Sequence, residues 1–235
     1  MSPPVVLARA ALRRWGAASA PWRVLALGGL LVVLLTLLGA GVLDAVLEGN
    51  GVSGLDRPAL SWVVLHRTPA ATSFLQAVTT LGSTAVVATV STVVVVGLLL
   101  ARRWVSAGQV ALAQLGAGAL VAVGKVAVGR QRPPESTRLA VEQTLAFPSG
   151  HALGTTVLTV TLVSLVWRRT RRRGVRALTA GVAALVVLGV GASRVYLGVH
   201  WVTDVLGGWL IGGTWATVCL TAAVLLGLRS RPALN

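Results

Sequence analysis

Six long apolar stretches alternate with short polar segments along the chain. By residue number they run over 24–47, 74–100, 105–128, 152–167, 175–192 and 202–228. Each is close to the ~20 residues that a membrane-spanning helix requires. The runs are unbroken, whereas the strands of a transmembrane barrel alternate apolar and polar side chains, so helices are the spanning structure that fits. The pattern predicts an all-α bundle of six transmembrane helices.

The composition strengthens this prediction. Of the 235 residues, 55% are apolar and 11% are charged, well below the charged fraction of about 25% in soluble domains. No repeat or second soluble domain is visible, so we expect one integral-membrane domain over 1–235. The arginine-bearing lead, 1–23, is similar to the start of a secretory signal, but the apolar run that follows is longer than a typical signal core. We therefore expect an uncleaved first helix.

The positive charge is distributed unevenly. The net charge is +15, from 21 basic and six acidic residues, and fourteen of the basic residues lie in four segments: 1–23, 102–103, 168–176 and 229–231. Basic residues favour the cytoplasmic side of a membrane. Both termini are therefore predicted to be cytoplasmic, with the segments 48–73 and 129–150 outside. The run over 168–176 is typical of an anchor at anionic headgroups, so we expect the lipid bilayer, and no nucleic acid, as its partner.

Much of the remaining polar chemistry falls in three short blocks. They are Lys125 with Arg132 and Pro133, then Pro148–Ser149–Gly150–His151, then Ser193–Arg194 with His200 and Asp204. Charged groups close to hydrocarbon are costly and tend to mark pathways or reaction sites. In a six-helix bundle all three blocks come to the same end, and the arginine distribution makes that end extracytoplasmic. We therefore expect one active site there, built from separate segments.

The first two blocks have features of an anion site. Lys125 and Arg132 are seven residues apart, which on a continuous helix places two cations on one face; snorkelling at the membrane boundary is the simpler explanation for either one alone. Ser149 is a natural N-cap for the fourth helix, and Gly150 leaves room for a ligand beside its backbone. Because exposed donors at a helix N-terminus attract phosphate, the two blocks together indicate a phosphate site.

The third block adds a histidine that a carboxylate can orient. His200 and Asp204 are four residues apart, a spacing that places them on one helix face. If Asp204 accepts the Nδ1 proton, Nε2 of His200 is left as an oriented base or nucleophile. His151 directly follows the predicted phosphate-binding cap. The residues alone leave open which histidine is the nucleophile and which is the acid.

The order Lys-x6-Arg-Pro, Pro-Ser-Gly-His and Ser-Arg-x5-His-x3-Asp, filled at every position over 125–204, resembles the three-part signature of the type 2 phosphatidic acid phosphatase superfamily. The resemblance implies that His200 attacks phosphorus to form a phosphohistidine, that Asp204 orients it, and that His151 protonates the leaving oxygen. It also implies five groups that hold the phosphate oxygens, namely Lys125, Arg132, Ser149, Gly150 and Arg194. No cofactor is implied. A metal is not expected either, because hard divalent ions need several oxygen ligands and the blocks contain a single acidic residue.

The resemblance further implies a lipid phosphate that arrives from the membrane, such as phosphatidic acid, phosphatidylglycerophosphate or undecaprenyl diphosphate. The expected location is a bacterial cytoplasmic (inner) membrane, with the active site facing the periplasm or cell exterior. Two alternatives stay open: a phosphotransferase whose acceptor is not water, and a phosphate-binding transporter that needs no nucleophile. The vanadium haloperoxidase branch of the superfamily, soluble in its known forms, fits this hydropathy poorly.

Four other features are less informative. The segment 48–73 is either a surface loop, which we favour, or a lid over the site. Glu135, Arg138 and Glu142 either tune substrate choice or solvate a loop. Cys219 is the only cysteine, so an intramolecular disulfide is excluded. It lies in the last apolar segment and is expected to be a small packing residue. The sequence does not indicate an oligomeric state.

Overall fold

The computed structural model describes the backbone of residues 3–229 and the side chains of residues 22–226. Within that part of the chain every regular element is helical. The α-helices are α1 (Pro3–Glu48), α2 (Asp56–Leu65), α3 (Pro69–Thr80), α4 (Thr84–Leu100), α5 (Trp104–Val128), α6 (Gly150–Trp167), α7 (Arg173–Tyr196) and α8 (Val202–Arg229), and short 3₁₀ turns lie at Gly51–Leu55 and Glu135–Thr137. The basic side chains near the two termini that entered the topology prediction, except that of Arg23, lie outside the described side chains: Arg9, Arg13, Arg14, Arg229 and Arg231.

Among the described residues, six helical stretches are long and apolar enough to cross a membrane, as predicted. They are Trp22–Glu48, Pro69–Leu100, Trp104–Val128, Gly150–Trp167, Arg173–Tyr196 and Val202–Leu226. Large apolar side chains cover their outer surfaces; Leu100 and Val126, for example, are 81% and 82% exposed. Extended apolar surfaces of this kind mark contact with a membrane or another protein. The chain therefore has the architecture of a multi-pass membrane protein.

The second membrane span is not one continuous helix, although the apolar run 74–100 predicted one. It consists of α3 and α4, and Ser83 caps the second of them through its hydroxyl. Gly82 lies in the break, where a Cβ atom would come within 2.4 Å of Val190 and 2.8 Å of Thr155. At the break, the backbone of Gly82 therefore packs directly against α6 and α7, and the space there is too small for a side chain.

The central helix of the bundle is α6, which packs against α5, α7 and α8, while α1 packs against α8. Small and branched side chains form the buried core between α5, α6 and α8: Ala113, Ala117, Leu153, Val157, Ala216 and Cys219. Cys219 is thus a packing residue, as predicted. A Cβ atom at Gly208 would lie 2.9 Å from the carbonyl oxygen of Ser149. Glycine at this position therefore lets α8 approach the start of α6 closely.

The segment 48–73, predicted to be a surface loop, is mostly exposed, but it is helical and anchored, and residues 69–73 belong to α3 of the second span. It contains α2, which begins at the buried Asp56. The guanidinium group of Arg67 donates hydrogen bonds of 2.8 Å to the carbonyl oxygens of Tyr196 and Thr137. The segment is therefore tied to the end of α7 and to the loop that precedes α6.

Candidate active site

The three polar blocks come together at one end of the bundle. The first lies at the end of α5 and in the loop after it, the second at the start of α6, and the third across the turn between α7 and α8. A cavity of about 1110 Å³ opens beside them. Predicted site residues from all three blocks line it: Lys125, Arg132, Gly150, His151 and His200. The structure therefore brings the separate segments to one place.

Lys125 and Arg132 meet in this cavity, but not by the route that their spacing suggested. Helix α5 ends just before Gly129, which has a left-handed φ of 63° and donates its N–H to the Lys125 carbonyl oxygen. Arg132 therefore lies in the loop, and the prediction that it continues the helix face was wrong. Its guanidinium group is held there by the carbonyl oxygens of Thr144, at 2.5 Å, and Val199, at 2.6 Å.

Ser149 forms the N-cap of α6, as predicted. It is fully buried, and its hydroxyl accepts a hydrogen bond from the N–H of Ala152 at 3.5 Å. Its own N–H donates to the carbonyl oxygen of Asp204 at 3.0 Å, so backbone joins the second block to the third. Gly150 follows, and a Cβ atom there would make an ordinary contact with Val121 at 3.4 Å. Packing alone therefore does not require glycine at position 150.

The contacts of His200 give its two ring nitrogens different roles. Nδ1 lies 3.3 Å from Oδ2 of Asp204, and Nε2 lies 3.2 Å from Nη1 of Arg132. A guanidinium group donates protons and has no acceptor, so Nε2 accepts, and Nδ1 carries the proton that is donated to Asp204. The four-residue spacing predicted this pair on the assumption that both residues share a helix face. The pair forms, but His200 lies in the turn before α8 and only Asp204 is helical.

The surroundings of His200 keep its imidazole neutral. The side chain is 2% exposed. Burial lowers its pKa from 6.5 to about 4, although the hydrogen bond with Asp204 acts in the opposite direction. The guanidinium groups of Arg132 and Arg194 add to the lowering of that pKa. His200 is therefore uncharged at neutral pH, with the lone pair on Nε2.

Residues 106–226, which contain all three blocks, match the PAP2 superfamily model. The chain belongs to the PAP2 superfamily. Phosphatidylglycerophosphatase B of Bacillus subtilis (strain 168) is 32% identical over 177 residues, which cover 73% of this chain and 84% of that protein. YbjG of Escherichia coli (strain K12), provisionally named an undecaprenyl-diphosphatase, is 42% identical over 81 residues, or 34% of each chain.

Solved structures share this PAP2 fold. The crystal structure of a transmembrane PAP2 type phosphatidylglycerolphosphate phosphatase from Bacillus subtilis matches with a TM-score of 0.72 at 26% identity, over 86% of this chain and 98% of that one. Aquifex aeolicus LpxE matches in fold with a TM-score of 0.52 at 21% identity, over 72% and 94% of the two chains. The family resemblance that the three blocks predicted is therefore confirmed.

In this candidate site a carboxylate lies between two arginines that were predicted to bind phosphate. The buried Arg194 donates from Nη2 to one oxygen of Glu142 and from Nη1 to the hydroxyl of Thr79 at 3.0 Å. Nη2 of Arg132 lies 3.4 Å from the other oxygen of Glu142. Burial acts to raise the pKa of Glu142, but the guanidinium groups of Arg194 and Arg132 outweigh it and hold the pKa below its usual range. Glu142 is therefore an anion held where the two arginines converge.

Two further residues that pair beside this cluster were not recognised from the sequence as partners of it. Arg130 donates from Nη1 to Oδ1 of Asp204 and from Nη2 to Oδ2 of Asp56, each at 2.6 Å. Arg130 lies in the interval between Lys125 and Arg132 that the signature leaves unspecified. The sequence contained one indication of a role for Asp56. The chain has only six acidic residues, and an ionisable group near a membrane span usually has a partner.

Glu135 and Arg138, whose roles the sequence left open, belong to the loop between α5 and α6. Arg138 donates to the carbonyl oxygen of Pro133 at 2.7 Å. Its guanidinium group also lies 3.7 Å from the carboxylate of Glu135, whose side chain is 91% exposed. These contacts favour a solvated, loop-stabilising role for the pair, in contrast to the half-buried Glu142.

Proposed function

We propose that this protein is an integral-membrane lipid phosphatase that hydrolyses phosphomonoester or diphosphate groups of lipids through a phosphohistidine at His200. The observation that carries the proposal is the state of that ring, which is neutral, donates from Nδ1 to Asp204 and presents the Nε2 lone pair to Arg132. Attack on phosphorus needs such a lone pair beside groups that neutralise the phosphate. Relatives named for phosphatidylglycerophosphate and undecaprenyl diphosphate support the same class of reaction.

In the proposed reaction, Nε2 of His200 attacks phosphorus while the bond to the leaving oxygen breaks, and His151 gives its proton to that oxygen. Asp204 stabilises the positive charge that His200 gains. Water then attacks the phosphohistidine, His151 takes the proton of the water, and the P–N bond breaks to release phosphate. The position of His151 supports both transfers, because it lines the same cavity as His200 from the first turn of α6.

Five groups are proposed to hold the phosphate oxygens: Lys125, Arg132, Ser149, the N–H of Gly150, and Arg194. The buried Nε of Arg194 has no hydrogen-bond partner among the described residues, which supports its use as a donor to one more oxygen. The first N–H groups of a helix have no acceptor within that helix, so the N–H of Gly150 is available too. The carboxylate of Glu142 between Arg194 and Arg132 supports an anion-binding role for this position.

The shape of the cavity supports a lipid as the substrate. From the two histidines it extends along α4 and α5, where small and apolar side chains line it, including Val87, Ala88, Val95, Ala111, Leu115 and Gly118. Gln114 also lines it and lies about 16 Å from Lys125 along α5, at 1.5 Å per residue. A hydrocarbon chain attached to a phosphate near Lys125 fits such a groove. The proposed substrates are phosphatidic acid, phosphatidylglycerophosphate and undecaprenyl diphosphate.

The proposal includes an orientation in a bacterial cytoplasmic membrane, with both termini cytoplasmic and the site facing the periplasm or cell exterior. Arg102–Arg103 and the arginines of 168–172 lie between helices at the end of the bundle opposite the three blocks, which supports this orientation. It also includes catalysis without a metal ion, because the cationic side chains of Lys125, Arg132 and Arg194 supply the charge neutralisation that metal ions provide in kinases.

Phosphate release by purified protein in detergent tests the proposal. With EDTA present and the three lipids as substrates, we expect turnover by the wild type and none above background for His200→Ala or His151→Ala. His66→Ala is the matched control, since His66 is the exposed third histidine, and it should keep wild-type rates. Turnover retained in His200→Ala would refute the proposal, and turnover retained in His151→Ala alone would refute the role of His151 as the acid. Release that requires an added alcohol acceptor would indicate a phosphotransferase, and phosphate binding without any turnover would indicate a transporter.

A further inference from the structure

Both carboxylate oxygens of the fully buried Asp204 are engaged. Oδ2 accepts hydrogen bonds from Nδ1 of His200 at 3.3 Å and from the N–H of Trp201 at 2.9 Å. Oδ1 accepts from Nη1 of Arg130 at 2.6 Å. Rotation of the carboxylate about its Cβ–Cγ bond would disturb all three contacts. The contact with Arg130 therefore helps to select the orientation in which Oδ2 faces His200.

Arg130 is itself held on several sides. Nη1 also donates to the hydroxyl of Thr203 at 2.7 Å, and Nη2 donates to Asp56 at 2.6 Å. The guanidinium group lies 5.7 Å from the centre of the Trp201 ring, within the range of a cation–π contact. A planar guanidinium fork can join two carboxylates in a fixed geometry, which a single ammonium group does less well. Arg130 thus connects Asp204 and Asp56 in one unit.

Asp56 brings the segment between the first two spans into this unit. Its side chain is 3% exposed at the start of α2. Oδ1 accepts from the N–H of Thr203 at 3.0 Å, and Oδ2 accepts from the hydroxyl of Thr203 at 2.6 Å. Thr203 lies in the first turn of α8, where N–H groups have no acceptor within the helix. Asp56, from another part of the chain, therefore caps the start of α8 at Thr203, the residue next to Asp204.

We infer that Asp56 and Arg130 are positioning residues for the proposed phosphatase reaction and act on it through Asp204. The ion pairs support this role, since one guanidinium group pairs with both buried carboxylates and a buried charge without a partner is costly. Neither side chain lines the cavity beside the histidines. Removal of Arg130 is therefore expected to slow the attack on phosphorus without weakening phosphate binding.

Variants of Arg130 separate this role from a purely structural one. Arg130→Gln is expected to lower kcat on a lipid phosphate about 100-fold, as for groups that orient metal-ligating histidines. KM and the Kd for inorganic phosphate should stay within about threefold of wild type, because phosphate binding is untouched. Arg130→Lys should recover part of kcat, since an ammonium group keeps the charge. Arg138→Gln changes another arginine of the same loop and is expected to retain wild-type kcat.

A double-variant cycle tests whether Arg130 acts through Asp204. If it does, adding Arg130→Gln to Asp204→Asn should lower kcat further by less than about threefold, because the group that Arg130 orients is already altered. The inference would be overturned if the fall in kcat of the double variant equalled the product of the falls in the two single variants. Wild-type kcat in Arg130→Gln would overturn it too. If Arg130→Gln does not fold, Asp56→Asn, which keeps the size and an acceptor, replaces it in the same cycle. Its expected kcat loss is about tenfold, and wild-type kcat in this variant would overturn the inference.

The inference rests on the proposed function, and the result for His200→Ala distinguishes the two. If His200→Ala keeps its turnover, the phosphohistidine proposal fails, and the role given to Asp204 fails with it. If His200→Ala is inactive while the Arg130 and Asp56 variants have wild-type kcat, only the positioning role fails.

Discussion

Nε2 of His200 lies 3.2 Å from a guanidinium nitrogen of Arg132. In the resting site this donor occupies the lone pair that is proposed to attack phosphorus. In the proposed reaction, Arg132 exchanges this hydrogen bond for one to the bound phosphate, while the carbonyl oxygens of Thr144 and Val199 hold its guanidinium group in place. In the proposed mechanism, one arginine thus keeps His200 in the tautomer that can attack and then neutralises the phosphate under attack.

Replacement of Arg132 should therefore lower activity even when the positive charge is kept. Arg132→Lys keeps a cation but loses the planar fork. We expect kcat/KM on a lipid phosphate to fall about 100-fold or more, the scale for removal of one oriented donor to a developing oxyanion. Arg138→Lys in the same loop is the control for steady-state kinetics. Equal kcat/KM for Arg132→Lys and wild type would show that the fork is not used.

The pH dependence of turnover should report the buried state of His200. Because its pKa is lowered from 6.5 to about 4, the ring stays neutral and nucleophilic as the pH falls, until about 4, and is protonated below that. We expect the acidic limb of kcat/KM to lie near pH 4, after correction for the separately measured ionisation of the substrate. An acidic limb near pH 6.5 would be inconsistent with a buried, neutral imidazole.

The same shift in pKa predicts how stability depends on pH. In the unfolded chain His200 takes up a proton near pH 6.5, whereas in the folded protein it does so only near pH 4. Its contribution to stability is therefore complete above pH 6.5 and is lost as the pH falls from 6.5 to about 4. Over this window, thermal unfolding in detergent should show a steeper fall in Tm for wild type than for His200→Gln. Parallel curves would argue against the shift.

Glu142 should compete with phosphate, because its carboxylate has to leave Arg194 and Arg132 before both can bind phosphate oxygens. Glu142→Gln removes the charge and keeps the size. We expect it to bind inorganic phosphate about tenfold more tightly, the effect of removing a competing interaction worth about 1.4 kcal/mol. Calorimetric titration measures this Kd. Glu135→Gln is the matched control, since that side chain is 91% exposed. Unchanged or weaker binding in Glu142→Gln would exclude the competition.

A side chain at position 82 should disturb the junction of α3 and α4. A Cβ atom at Gly82 would lie 2.4 Å from Val190 and 3.3 Å from Cδ2 of His151. Gly82→Ala is therefore expected to destabilise the protein by about 1–3 kcal/mol and to lower kcat by displacing His151. Gly97→Ala on α4 is the control, because a Cβ atom there meets nothing within 4 Å. Equal Tm and kcat for the two variants would show that the junction accommodates a methyl group at position 82 without loss of stability or activity.

Hydropathy predicted the six spans because each apolar run is as long as a bilayer is thick, and lipid leaves the helix as the way to pair the backbone. It did not predict the break at Gly82. The run 74–100 is apolar on both sides of that residue, and the reason for the break is the close approach to Val190, on a helix far along the chain. Spacing alone carries no information about such a contact.

The three blocks predicted which residues cluster, but not how they reach one another. Arg132 meets Lys125 because the chain leaves the helix at Gly129, and Asp204 meets His200 from the first turn of α8. Partners far apart in sequence were missed altogether. Asp56 pairs with Arg130 across 74 residues, and Glu142 pairs with Arg194 across 52 residues. These pairs depend on the packing of several helices and have no signature in local sequence.

The most direct measurement of the proposed chemistry is the location of the phosphoryl group during the reaction. Wild-type protein is mixed with a ³²P-labelled lipid phosphate, quenched in alkali within one turnover, and digested. Acid-labile, alkali-stable label is expected on the peptide that contains His200, with none in His200→Ala. Turnover without label on any histidine, or with label on His151, would contradict a phosphohistidine at His200.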